Sequence, residues 1–275
     1  MPQTINTNIN SLTAQRNLSS TQSSLATSMQ RLSSGLRVNR AKDDAAGLAI
    51  AERMNAQVRG MNVAIRNAND AISLSQTAEG ALGKVGDMLQ RMRELAVQSA
   101  NATNGASDRI SLNAEFNQLA QEITRTIGST KFNGQAILAA DAGPQIFQVG
   151  ANSGDTVTVT TTDMSADPTI TAVTAGDVTS VANANTALGA IDTALDTINS
   201  ERALYGASQN RFEAVIGTLQ ISAENQTAAR SRIMDADFAA ETANMSRANI
   251  LQQAGTAMVA QANQLPQTVL RLLQN

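Results

Sequence analysis

The spacing of large side chains at every seventh position constrains the fold of this 275-residue chain more than any other feature. Between residues 191 and 233 the run consists of Ile191, Ile198, Tyr205, Phe212, Leu219, Gln226 and Ile233. This repeat places all of them on one side of a helix, which needs a partner helix along that side. A similar apolar run from about residue 44 to residue 100 predicts a helix roughly 85 Å long, at ~1.5 Å per residue.

Both ends of the chain carry narrow apolar rows of the same kind. Near the N-terminus, Leu25, Met29, Leu32 and Leu36 step by four, three and four residues. Near the C-terminus, Leu251, Met258, Leu265 and Leu272 are strictly seven apart, with Ala248, Gly255 and Ala262 at the other position of the heptad. Because a narrow row buries little in a lone helix, each end needs a partner. The opposite terminus is the expected partner, and two frayed tails are the alternative.

The middle of the chain has a different character. Residues 145–149 and 156–162 alternate or are β-branched and flank the turn-forming residues 150–155, which predicts a β-hairpin. We expect a shorter helix that is capped by Ser107 or Asp108 and stops at Gly128, and an irregular connection around Pro168. The fold class predicted from these patterns is mainly α, with long antiparallel helices forming a nested hairpin or coiled-coil rod and a small β-hairpin region.

Composition argues against several classes of function. The chain has no histidine and no cysteine, which removes the commonest general base, the thiol nucleophile and the usual zinc ligands. We therefore expect no enzyme, no metal and no cofactor. A net charge of −3 disfavours nucleic-acid binding. The chain contains no run of 18 apolar residues, so its sequence predicts no membrane-spanning helix.

Several long motifs resemble those of bacterial flagellins, in the same order along the chain. They cover roughly residues 1–160 and 185–275. In chain order, the matching segments are RLSSGLRVNRAKDDAAGLAI at residues 31–50, RNANDAISLSQTAEGAL at 66–82, LQRMRELAVQSAN at 89–101, KFNG at 131–134, QVGAN at 148–152 and QQAGTAMVAQANQ at 252–264. The chain resembles a short flagellin without the variable outer domains, because about 25 residues separate the predicted hairpin from the returning helix.

The resemblance implies a structural subunit that self-assembles into the flagellar filament, a helical homopolymer outside the cell that serves swimming motility. Family members leave the cell unfolded by type III flagellar export, and the implied partners are an export chaperone and the hook-associated and cap proteins. The implied domains are an inner coiled-coil domain at 1–43 and 235–275, and a helical rod domain at 44–182 and 183–234, with the hairpin near 145–162. The heptad rows named above, Leu25, Met29, Leu32, Leu36, Leu251, Met258, Leu265 and Leu272, are then the expected assembly seam.

The resemblance also implies a second surface. In similar flagellins the rod segment that matches residues 89–101 contacts neighbouring subunits and is recognised by the vertebrate Toll-like receptor for flagellin. The matching positions are Arg91, Leu95 and Glu115, which we expect to form an exposed cluster. The alternative is that they make only filament contacts and helix-surface ion pairs.

Other classes of protein remain as alternatives. A hook–filament junction protein has similar terminal seams, although residues 31–50 and 89–101 favour a flagellin. A surface adhesin needs an outer domain, which this chain is not expected to have.

Overall fold

The computed structural model describes the backbone of residues 7–273 and the side chains of residues 7–265. Within that range the chain forms, in order, α1 (Ile9–Ser34), α2 (Ala45–Ala100), α3 (Ala106–Ser129), β1 (Lys131–Phe132), β2 (Gln135–Ala136), β3 (Pro144–Gln148), β4 (Thr156–Thr160), α4 (Pro168–Thr174), α5 (Val181–Met234) and α6 (Phe238–Leu273). The mainly helical fold with a small β-hairpin is therefore confirmed.

The chain divides into two compact units by its internal contacts. The terminal unit comprises residues up to 56 and from 225 onward, and the central unit comprises residues 57–224. These boundaries fall inside α2 and α5, whereas the breaks between helices lie at residues 35–44 and 235–237. The division at 43/44 and 234/235 expected from the sequence stays a prediction.

The core of the central unit forms where α2 and α5 run antiparallel. Arg93 Nε donates to Asp192 Oδ1 at 2.7 Å, and Gln209 Nε2 donates to Glu79 Oε2 at 2.9 Å. The later residue of α2 therefore contacts the earlier residue of α5, as antiparallel helices require. The predicted row on α5 is buried over four heptad positions, Ile191, Ile198, Tyr205 and Phe212. On α2 the buried large side chains include Leu82, Leu89 and Met92.

The ends of α3 differ from the sequence prediction. The helix begins after Gly105, whose backbone N–H donates to Asp108 Oδ2 at 2.9 Å. Asp108 therefore satisfies the start of the helix from its third position rather than capping it directly. At the other end the helix continues through Gly128 to Ser129, because glycine weakens a helix without forcing it to stop.

The predicted β-hairpin is present. Strands β3 and β4 pair antiparallel with Gln145 opposite Val159 and Phe147 opposite Val157. The Asn67 side chain on α2 donates to the carbonyl of Gln148 at 2.9 Å and holds the end of β3 against the helix.

The connection after the hairpin is more regular than the sequence predicted. Residues 168–174 form α4, with Pro168 in its first turn and the Asp167 side chain accepting from the Thr169 N–H at 2.8 Å. Proline is tolerated at this position because the first helical N–H has no partner within the helix. The expectation of an irregular connection was wrong here.

Candidate assembly interface

Helix α1 of the terminal unit pairs along its length with α6, so these two terminal helices are partners rather than frayed tails. On α1 the buried and half-buried positions repeat as a heptad. One set comprises Ser11, Leu18, Leu25 and Leu32, and the other comprises Ala14, Thr21 and Ser28. This is the pattern of a helix packed against one antiparallel partner.

One row on the matching face of α6 is made of small side chains, and the other comprises the half-buried Met245, Gln252 and Val259. Ala248 and Ala262 are buried, and a Cβ atom on Gly255 would lie 3.1 Å from Leu18 Cδ1. Large leucines on α1 thus lie opposite small residues on α6, which lets the two backbones approach closely.

The expected assembly seam is therefore divided between two environments. Leu25 and Leu32 are half-buried in the contact, and Leu36 follows the end of α1 and packs near Val38 and Met234. The remaining described members are exposed, with relative exposures of 55% for Met29, 52% for Leu251, 64% for Met258 and 47% for Leu265. The side chain of Leu272 lies outside the described residues.

The exposed leucines and methionine of α6 line a groove beside the helix pair. This groove, with a volume of about 540 Å³, is bounded on the α1 side by Ala14, Leu18 and Thr21 and on the α6 side by Leu251, Met258 and Leu265. Beyond Thr21 and Leu251 it continues into a polar stretch that includes Arg31 and Arg247. We call the row Leu251, Met258 and Leu265 the α6 stripe.

A buried polar cluster interrupts the contact between α1 and α6. Glu241, in the first turn of α6, is only 7% exposed; its Oε2 accepts from Ser28 Oγ and its Oε1 from Arg31 Nη1, both at 2.9 Å. The hydrogen bond from Arg31 holds the pKa of Glu241 below its usual value. Sequence reasoning missed this cluster because it followed apolar residues, although Glu241 is the only acidic residue in segments 1–42 and 238–275.

The two helices are joined at their inner ends by backbone pairing. Arg37 N donates to Met234 O at 2.7 Å, and Ala236 N donates to Gly35 O at 2.9 Å. Gly35 makes this possible by adopting a left-handed φ of 73° directly after α1. Asp237 then starts α6 by accepting from the N–H of Ala239 at 2.9 Å, and Asp44 starts α2 by accepting from the N–H of Gly47 at 2.7 Å.

The surface expected around residues 91–115 is only partly exposed. Arg91 Nε donates to Glu115 Oε1 at 2.9 Å and Arg91 Nη1 to Glu94 Oε2 at 2.8 Å, and these bonds, first that to Glu115, raise the pKa of Arg91. Leu95, in contrast, is 1% exposed and belongs to the core of the central unit. Its expected exposure was wrong, because it lies on the face of α2 that also carries Met92 and Ser99.

The described residues lack two other kinds of functional feature. No helix among them is long and apolar enough to cross a membrane. Nor do they contain a group of three or more acidic side chains placed to hold a metal ion.

Long, heptad-patterned helices that pair side by side are typical of structural coiled-coil proteins, and comparison with known proteins gives the family. The model of the bacterial flagellin N-terminal helical region matches residues 5–142, and that of the bacterial flagellin C-terminal helical region matches residues 188–273.

Individual relatives agree with the family models. The chain is 49% identical over 269 residues to a flagellin of Halalkalibacterium halodurans, covering 98% of this chain and 99% of that protein. It is 43% identical over 301 residues to a flagellin of Bacillus subtilis, again covering 98% and 99%. The crystal structure of Bacillus cereus flagellin matches with a TM-score of 0.51 and 37% identity, covering 60% of this chain and 94% of that one.

The chain therefore belongs to the bacterial flagellin family. It is a structural protein and a subunit of the bacterial flagellar filament, not an enzyme.

Proposed function

We propose that the chain polymerises into a helical homopolymer through its terminal helices. The part of the subunit that forms this contact is the expected assembly seam: Leu25, Met29, Leu32, Leu36, Leu251, Met258, Leu265 and Leu272. The observation that carries the proposal is the exposure of the α6 stripe. Leu251, Met258 and Leu265 are 52%, 64% and 47% exposed although the neighbouring face of the same helix is paired with α1.

The energetics favour a further helix against this stripe. Fully burying a leucine or methionine side chain stabilises an assembly by about 1.5–3 kcal/mol. Three such side chains in a row, beside a groove of about 540 Å³, form an apolar surface along one side of the helix pair. In a homopolymer the occupant is a terminal helix of another copy, since every copy supplies the same narrow apolar rows.

The proposal includes the route to the filament. The chain is secreted unfolded through type III flagellar export, meets an export chaperone on the way, and joins a filament bounded by hook-associated and cap proteins. The absence of cysteine supports this route, because a chain without disulfides can be unfolded and refolded without redox chemistry. In the filament, residues 1–43 and 235–275 form the inner coiled-coil domain, and 44–182 and 183–234 form the rod.

Electron microscopy of the purified chain tests the proposal. After addition of filament seeds or a precipitant salt, we expect long uniform tubes by negative staining. The same chain without residues 242–275 should give none, since it lacks the α6 stripe. Monomers that persist for the full chain under all conditions contradict self-assembly and favour a junction protein that needs a different neighbour.

Recognition by the vertebrate Toll-like receptor for flagellin is a second candidate function. It is favoured by the half-exposed pair of Arg91 and Glu115, which joins α2 and α3 on the surface of the central unit. In a receptor reporter-cell assay we expect Arg91→Ala and Glu115→Ala to lower the signal while the helical content stays unchanged. An undiminished signal for both variants contradicts the proposal.

A further inference from the structure

The apolar contact between α1 and α6 does not by itself define one alignment of the two helices. Leu18, Leu25 and Leu32 recur every seven residues on α1, and Ala248, Gly255 and Ala262 recur every seven residues on α6. Sliding one helix by a heptad therefore still sets a leucine against a small residue. Such a repeat leaves the register of a coiled coil weakly specified.

The buried cluster around Glu241 breaks this degeneracy. In the observed register Leu18 lies at Gly255, and Glu241 meets Ser28 and Arg31. If α6 moved by one heptad so that Ala248 lay at Leu18, the same spacing would set Glu241 at Leu25. The carboxylate would then meet Thr21 in place of Ser28 and Ser24 in place of Arg31, and would lose its cationic partner.

The rest of the terminal sequence offers no replacement for this residue. Segments 1–42 and 238–275 contain seven basic residues and one acidic residue, Glu241. Arg31 is the basic side chain that reaches it, and the side chains of the pair are 32% and 9% exposed. A buried carboxylate that loses its partner is strongly destabilising, so each wrong register that buries Glu241 is penalised.

We propose that Glu241 is a register-determining residue, which selects the alignment of α1 with α6. Within one chain the backbone pairing of Gly35–Arg37 with Met234–Ala236 also restrains the alignment. That pairing fixes the inner ends of the two helices, whereas Glu241 acts on their side-by-side contact.

Disulfide trapping in the unpolymerised full chain tests the proposal, since the chain has no cysteine of its own. The pair Leu18→Cys with Gly255→Cys reports the observed register, because a Cβ on Gly255 lies 3.8 Å from Leu18 Cβ, within the range of a disulfide. The pair Leu18→Cys with Ala248→Cys reports the slipped register. Non-reducing gels separate disulfides within a chain from disulfide-linked dimers.

We expect Glu241→Leu to raise the yield of the slipped disulfide, within chains or between them, at least about tenfold over the parent, because the cost of the misplaced carboxylate disappears. Glu241→Gln is the matched control; it keeps an oxygen for Ser28 and Arg31 and should retain the observed register. A slipped yield that is the same in Glu241→Leu as in the parent overturns the proposal and assigns the register to the backbone pairing.

A second variant covers the case in which Glu241→Leu loses the helix pair altogether. Arg31→Leu leaves the carboxylate with the neutral donors Ser28 and Asn244 and without its cationic partner in the observed register, so the yield of the disulfide between positions 18 and 255 should fall about tenfold. An unchanged yield also overturns the proposal. Both readouts are made at low salt without seeds, so they do not depend on whether the chain forms filaments.

Discussion

Gly60 of α2 lies directly against Ala151 in the turn of the β-hairpin. A Cβ atom at position 60 would come within 2.8 Å of Ala151 Cβ and 3.1 Å of its Cα. Together with the hydrogen bond from Asn67 to the Gln148 carbonyl, this close approach seats the turn on the helix. A glycine inside a long helix costs stability by itself, so its position here is explained by the turn.

Gly60→Ala should therefore destabilise the central unit by about 1–3 kcal/mol, because the added methyl group must displace the hairpin backbone. Gly83→Ala is the matched control: it lies in the same helix, and an added Cβ meets nothing within 4 Å. That change should stabilise the unit by about 0.5–1 kcal/mol. Urea denaturation followed by the fluorescence of Tyr205, the single tyrosine, measures both. Equal effects of the two substitutions would contradict the role of the turn contact.

Tyr205 provides a pH-dependent prediction. Burial raises the pKa of its phenol to about 12. The unfolded chain loses this proton near pH 10, so the stabilisation is complete below that value and is lost as the pH rises towards 12. Absorbance of the phenolate near 295 nm should titrate about two units above free tyrosine, and Tyr205→Phe should remove this part of the alkaline destabilisation. A midpoint near pH 10 in the folded protein would contradict the burial.

Substitutions at Leu95 and at Arg91 should have different effects on the free energy of unfolding. Leu95 is buried in the core, so Leu95→Ala should destabilise the central unit by about 2–5 kcal/mol. Arg91→Ala removes an exposed side chain and should change stability far less. Urea denaturation of both variants makes the comparison, and a neutral Leu95→Ala would show that the side chain is not packed as described.

Acidification should weaken the pair of terminal helices through Glu241. Its pKa is lowered in the folded chain, first by the hydrogen bond from Arg31. The stabilisation is therefore present above the ordinary glutamate pKa of about 4.3 and is lost as the pH falls through the lower folded value. Thermal unfolding followed by circular dichroism at several pH values should show this loss in the parent and a smaller one in Glu241→Gln. Identical pH profiles would mean that Glu241 is not held by Arg31.

The sequence predicted the long helices well because their burial follows one period. Ile191, Ile198, Tyr205 and Phe212 are buried, as their heptad spacing indicated. At the terminal helices the same reasoning chose the row Leu251, Met258 and Leu265 of α6 as the seam and missed the half-buried row Met245, Gln252 and Val259. The row with the smaller side chains, Ala248, Gly255 and Ala262, faces α1, since close approach of two backbones requires small residues on one side.

Other features depend on tertiary contacts that no local pattern carries. Ser28 is buried in the contact between α1 and α6, where it donates to Glu241, and its neighbour Met29 is exposed. The buried row of α1 is therefore displaced by one residue from the row predicted through Met29. Likewise, Leu95 is buried although Arg91 and Glu94 on the same helix are exposed, because the rest of the central core packs on that face of α2. Spacing along a single helix does not show which of its faces other elements will cover.

Polymerisation of a variant in the α6 stripe tests the central claim most directly. Leu265→Asp places a charge in the stripe, and Leu265→Met keeps a side chain of similar volume and polarity at the same position. With seeds present, electron microscopy should show normal filaments for the parent and Leu265→Met and none for Leu265→Asp, while circular dichroism shows the helices of the central unit retained in all three. Normal filaments from Leu265→Asp would contradict the assignment of the stripe to assembly.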